Sequence, residues 1–129
     1  MKKIERLMPN VLAENLALSK AFYTTLFNLK VAFDSDWFIH LQSGDGHLEL
    51  GIIKYDNDLI PEEFRGRPNG FYITIVVDDA DAIHLLAQEH QFEIQQAPIN
   101  TSYGQRRLLL KDPHGNLIDV SSPIPGFTF

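Results

Sequence analysis

The pattern strand, helix, three strands occurs twice along this chain, and a repeat of that kind dictates the fold more than any single motif. Residues 6–14 read as a strand, 16–27 as a helix, and 30–34, 37–42 and 47–53 as three further strands. Residues 54–69 form a polar, proline-bearing linker with a helical turn expected at 61–64. The pattern then restarts, with a strand at 71–77, a helix at 80–89 and strands at 92–96, 106–110 and 117–121. The halves match at an offset of 64, which places Met8 on Tyr72, Leu12 on Val76, Glu14-Asn15 on Asp78-Asp79 and Phe22 on Leu86. By the last strand of each half the expected offset is 70, pairing Glu49 with Asp119. Each half is too small to cover both faces of its sheet. The halves are therefore expected to pack together, within one chain or across a dimer.

Local signals agree with this division. Pro9 removes a ladder donor, so the first strand belongs at an edge or an unpaired position. Asn15 suits the N-cap of the first helix, and Asn28 can end it. The stripe Leu16, Ser19, Phe22, Tyr23, Leu26 and Phe27 faces the core, with one polar interruption. In the second half Asp78-Asp79 supplies the cap, and Ala80, Ile83, Leu86 and Ala87 share a side. Ser43-Gly44-Asp45-Gly46 is a hairpin signal. Asp112-Pro113-His114-Gly115-Asn116 is another tight turn, because Pro113 presets φ near −65° and Gly115 can take positive φ.

The chain of 129 residues carries 44% hydrophobic residues, enough for a real core in one domain. The net charge is −6, and the 11 basic residues are scattered rather than gathered on one face, which argues against a nucleic-acid partner. Without cysteine there are no disulfides, thiol nucleophiles or thiolate metal sites. Lys2-Lys3 is followed by no apolar signal region, and no segment approaches the length of a membrane span. A soluble cytoplasmic protein with no membrane partner is the expectation.

The βαβββ repeat, with Gly104-Gln105-Arg106-Arg107 running into Asp112-Pro113-His114-Gly115-Asn116-Leu117-Ile118-Asp119-Val120, resembles the vicinal oxygen chelate superfamily. That group includes glyoxalase I, fosfomycin-resistance enzymes, extradiol dioxygenases, methylmalonyl-CoA epimerase and bleomycin-resistance proteins. The resemblance runs from about residue 6 to 123. It implies an α+β fold of two βαβββ modules whose curled mixed sheets form a shared cavity. Module one would span about residues 4–53, the linker 54–69, module two about 70–123 and a tail 124–129 of a single domain 1–129. Family metal ligands come from the first and fourth strand of each half, and the resemblance places those slots at Met8, Glu49, Tyr72 and Asp119. Metal-dependent members have histidine or Glu/Gln in the first and third slots and glutamate in the fourth.

Here both usual histidine slots are filled otherwise. Met8 offers a soft thioether and Tyr72 a phenol that stays protonated at neutral pH. Glu49 and Asp119 remain as the ligands of any divalent metal, too few for an ordinary Zn, Fe or Ni site. His47 shares a strand face with Glu49, and His40 lies on the adjacent strand, which allows a different cluster. His84, His90 and His114 read as surface residues. No cofactor is the expectation.

Alternation assigns the faces. Leu48, Leu50, Ile52, Ile73, Ile75 and Val77 should pack beneath helices, as should Ile39 and Leu41. Met8, Asn10, Leu12, Phe38, His40, Gln42, His47, Glu49, Gly51, Tyr72, Thr74, Val76, Asp119 and Ser121 should line the cavity. Arg106 and Arg107 point to opposite faces, so only one can reach it. Arg106 is carried in the candidate set, and which of the two turns inward stays open. Glu49 either faces solvent or pairs with Arg106 or Arg107. The mixed lining suits a small organic ligand, such as one bearing a cation or several donors.

The resemblance is nearest in character to metal-free bleomycin-resistance members, which sequester a drug in crevices shared by two subunits. A metal-independent binding protein of that antibiotic-resistance type is the first reading. The alternative is a lyase, isomerase or dioxygenase-like enzyme using Glu49 and Asp119 with a divalent metal. A homodimer is expected under either, with Phe127-Thr128-Phe129 docking at its interface.

Overall fold

Two capped helices, each laid on one face of a four-stranded sheet, follow from the two stretches of apolar periodicity. The computed structural model describes residues 2–128, and the chain divides into two compact units at Gly66 and Arg67, inside the expected linker.

The first unit, module one, runs β1 (Asn10–Ala13), α1 (Leu16–Phe27), β2 (Lys30–Asp34), β3 (Phe38–Gln42) and β4 (Glu49–Lys54), then a 3-10 turn at Glu62–Phe64. Its sheet order is β1-β4-β3-β2, with β1 parallel to β4 and the other pairs antiparallel. β1 begins at Asn10 rather than at residue 6, because the chain enters the ladder only after Pro9. The Pro9 carbonyl accepts the first bond, from the Gly51 N–H at 2.9 Å. The Asn15 side chain accepts the Leu18 N–H at 3.1 Å, and Asn28 ends α1 in the left-handed region at φ 53°. Ser19, Phe22, Tyr23 and Leu26 of α1 are buried, as are Val11, Ile39, Leu41, Leu50 and Ile52 of the sheet, and α1 packs on β3 and β4. Phe22 and Tyr23 meet edge to face with centroids 4.9 Å apart.

The second unit, module two, runs β5 (Ile73–Val76), α2 (Ala80–Glu89), β6 (Ile94–Asn100), β7 (Gln105–Lys111) and β8 (Leu117–Pro123). Its sheet order, β5-β8-β7-β6, repeats the first. Asp79 caps α2 by accepting the Ala82 N–H at 3.2 Å. The β7–β8 turn is held by Asp112, whose Oδ1 accepts the N–H groups of His114 at 2.9 Å and Asn116 at 2.8 Å. Gly115 sits at φ 94°, a conformation that favours glycine.

Three expectations change. β6 is longer than predicted and reaches Asn100 through Pro98 and two register shifts. An edge strand tolerates proline and bulges that a central strand would not. His114 is not a surface residue, being only 2% exposed under the turn. The tail also folds back on its own module. The Ile124 N–H reaches the Gly104 carbonyl at 2.9 Å, and the Phe127 ring lies where a side chain on Gly104 would project. Phe127 therefore has an intramodular seat, and Phe129 lies outside the described residues.

Candidate functional site

Sheet register decides which residues correspond between modules. Asn10 pairs with Gly51, and Thr74, the counterpart of Asn10 in the repeat, pairs with Asp119. In the antiparallel ladders His40 faces Gly51 and Leu109 faces Asp119. The module-one counterpart of Asp119 is therefore Gly51, and that of Glu49 is Leu117. The expected pairing of Glu49 with Asp119 is displaced by two residues. The neighbours agree, since Gly51 lies against the side chains of Asn10 and Phe38, whereas Asp119 lies against those of Thr74 and Arg107.

In module one a Cβ at Gly51 would overlap the Asn10 amide oxygen and stand 2.9 Å from the Phe38 ring. Those two side chains fill the position that corresponds in the repeat to the Asp119 side chain of module two. Glu49 sits lower on β4 in a network of which the sequence reading foresaw His40 but missed Arg6. Arg6 Nε donates to Glu49 Oε2 at 2.7 Å, and Arg6 Nη2 donates to Glu49 Oε1. His40 Nε2 lies 2.9 Å from the same Oε1. Arg6 Nη2 also stands 3.4 Å from His40 Nε2 and 3.7 Å from Met8 Sδ. One guanidinium thus occupies the ground between Met8, His40 and Glu49. The fork engages both carboxylate oxygens, as planar guanidinium geometry favours. His47 does not join, because it is exposed and pairs with Asp45 at 3.2 Å.

The Arg6 hydrogen bonds hold the Glu49 carboxyl below its ordinary range, with a smaller pull from His40 and opposition from burial. A depressed folded value contributes stability above the ordinary carboxylate range, and that contribution is lost as the pH falls through the folded value. Arg6→Met should therefore raise the Glu49 pKa, and the stability difference from wild type should vanish in acid. A carbon-13 titration of the Glu49 carboxyl in both proteins measures this. An unmoved Glu49 would mean that Arg6 is not seated on it.

In module two Asp119 is 5% exposed. Its Oδ2 accepts the Thr74 hydroxyl at 2.9 Å, and its Oδ1 accepts the Ser121 hydroxyl at 2.8 Å. Arg107 Nε is 3.3 Å from Oδ1, and the Arg107 guanidinium lies 5.9 Å from the centre of the Tyr72 ring. Tyr72 also borders a cleft of about 390 Å³ with Phe71, Pro68 and Leu117. Arg106 is corrected out of the set. It turns to the helix side, where its Nε donates to Asp81 Oδ2 at 2.8 Å and Nη1 donates to Asn100 at 3.1 Å. Of the predicted residues, Met8, His40 and Glu49 gather in module one, as do Tyr72, Thr74 and Asp119 in module two. A cleft of about 370 Å³ in module one, between the start of α1 and Asp34, touches none of the predicted residues.

This donor set does not fit a divalent cation. Glu49 has both oxygens bound by Arg6, Gly51 offers no donor, and Asp119 is matched by Arg107. Among the described residues no three His, Cys, Asp or Glu side chains converge as ligands.

The repeated sheets and the Asp112 turn have a known counterpart. The family model for the glyoxalase/bleomycin resistance protein/dioxygenase superfamily matches residues 3–120. The chain belongs to that superfamily. Solved structures show the same fold at low identity. A glyoxalase/bleomycin resistance protein/dioxygenase family enzyme from Burkholderia phytofirmans is 20% identical, with TM-score 0.76 over 91% of this chain and 97% of that one. A lactoylglutathione lyase from Agrobacterium tumefaciens is 19% identical, with TM-score 0.67 over 94% and 96%. A glyoxalase/bleomycin resistance protein/dioxygenase from Alicyclobacillus acidocaldarius is 17% identical, with TM-score 0.66 over 91% and 89%. No curated protein matches. No helix among the described residues is long and apolar enough to cross a membrane.

Proposed function

We propose that this superfamily member binds a small organic molecule without a metal ion, in the sequestering manner of bleomycin-resistance members. One observation carries the reading: each module sets an arginine guanidinium against its carboxylate, Arg6 on Glu49 and Arg107 on Asp119. Binding needs only a shaped wall and a few oriented polar groups, and both clusters supply them. Because the carboxylates are already neutralised, an uncharged ligand suits them better than a cationic one. The competing enzyme reading requires Glu49 and Asp119 as free metal ligands, and the arginines oppose that.

The test pairs metal analysis of protein purified without chelator with isothermal titration across aromatic, cationic and glycopeptide-like compounds. The expected result is binding that chelator leaves unchanged. A stoichiometric divalent ion whose removal abolishes binding would count decisively for the enzyme.

The proposal includes a homodimer. Its support is β2, an edge strand exposed along its whole length and carrying Val31 and Phe33. Sedimentation velocity reads the assembly directly, and a monomer at micromolar concentration would remove this part.

A further inference from the structure

The cleft of about 390 Å³ beside Tyr72 lies wholly within module two, and its lining is chemically selective. One wall is the segment from Pro68 to Tyr72, and the other is Gly115 and Leu117, where the β7–β8 turn runs into β8. The Arg67 guanidinium ties the two walls at one end, its Nη1 donating to the His114 carbonyl at 2.9 Å. The register that pairs Ile73 with Ile118 sets Tyr72 beside Leu117, on the face that carries Thr74 and Asp119. The cleft therefore continues the binding surface described above. Gly70 takes φ 80°, a conformation that favours glycine, and no atom lies within 4 Å of where its side chain would start, so the cleft stays open there. Phe71 is 66% exposed and Tyr72 49%, two neighbouring aromatic rings left largely in water. No Asp, Glu, Lys, Arg or His lines the cleft, on a chain of which 22% is charged.

We infer that this cleft takes an uncharged phenol, a single aromatic ring bearing a hydroxyl. This rests on the binding function proposed above and names its ligand class. The volume suits one substituted ring, at the lower end of small-molecule sites. Phe71 and Tyr72 reward an aromatic ring with offset or edge contacts that an aliphatic one lacks. Pro68 and Leu117 supply further apolar surface, and the Asn69 carboxamide both donates and accepts, as a hydroxyl requires. An ionised group on the ligand would leave water and meet no opposite charge in the lining. The two arginines at the margin are engaged already, Arg67 with the His114 carbonyl and Arg107 with Asp119 and the Tyr72 ring.

The experiment uses p-cresol as probe, with 4-hydroxybenzoate and tyramine as its anionic and cationic comparisons on the same ring. Amide resonances of isotope-labelled protein are followed through each titration, in wild type and in Phe71→Ala. p-Cresol should move residues 69–72 and 115–117 and leave residues 14–17 and 34–36, around the cleft of module one, in place. It should bind wild type more tightly than either charged compound does. Phe71→Ala should bind it roughly 2–10-fold more weakly, the worth of one aromatic contact. Because Phe71 is mostly exposed, the variant should melt with wild type. A variant that melts markedly lower would show that Phe71 is a packing residue, and the inference would fall. Unchanged affinity in a variant that melts normally would overturn it too, as would shifts confined to other residues. Shifts of residues 69–72 and 115–117 on dilution of the protein alone would give the cleft to a second copy of the chain and overturn the inference. Tighter binding of 4-hydroxybenzoate or tyramine would overturn the ligand class. Wild type that ignores p-cresol but binds other compounds of the earlier panel would remove this inference and leave the binding function intact. Binding of nothing at all would remove both.

Discussion

Arg107→Met should lose about 3 kcal/mol of folding stability in urea denaturation, the order expected when one partner of a buried ion pair is removed. Asp119 would keep the hydroxyl donors of Thr74 and Ser121 but lose the one cation paired with it among the described residues, and at 5% exposure it gains little from water in exchange. The double variant Arg107→Met/Asp119→Asn should recover most of the loss, since the remaining amide carries no charge. That recovery separates charge balance from simple packing, because a lost packing contact would persist in the double variant. A loss within about 0.5 kcal/mol for the single variant, the size of an ordinary surface change, would show that Asp119 does not depend on Arg107.

Gly51→Val is the second large effect, at about 2 kcal/mol, the usual cost of forcing extra carbons into filled space. On most strands a β-branched residue would improve on glycine. Here the side chain would displace the Asn10 amide and press on the Phe38 ring. Asn10→Ala should relieve part of the penalty, and the measurement is again the denaturation midpoint. If Gly51→Val proved as stable as wild type, the two side chains would not be filling that position.

The contrast between Gly51 and Asp119 also shows where sequence reading stops. The caps Asn15 and Asp79 were legible because their side chains bond within three residues, and so was the Asp112 turn. Alternation has a period of two and is blind to a strand shift of two, so it could not show that the counterpart of Glu49 in the repeat is Leu117 and not Asp119. The turns supply part of that shift, since β3 and β4 are joined by a longer hairpin than β7 and β8. Arg106 and Arg107 were ambiguous for a related reason. Leu108, Leu109 and Leu110 are all apolar, so the run hides which positions face the core. Arg6 gave no signal at all. It lies in a polar segment outside any periodic element, and its partners are 34 and 43 residues away.

The two outer strands of these sheets are not equally defended. β6 is interrupted by Pro98 and two register shifts, devices that spoil a straight row of backbone donors and acceptors. β2 has one shift and no proline, and it leaves Val31 and Phe33 open to solvent. Wherever the proposed dimer leaves β2 uncovered, concentrated or aged preparations will therefore grow insoluble material by templating on module one rather than module two. A lysine at position 33 is the economical gatekeeper for keeping such stocks clear.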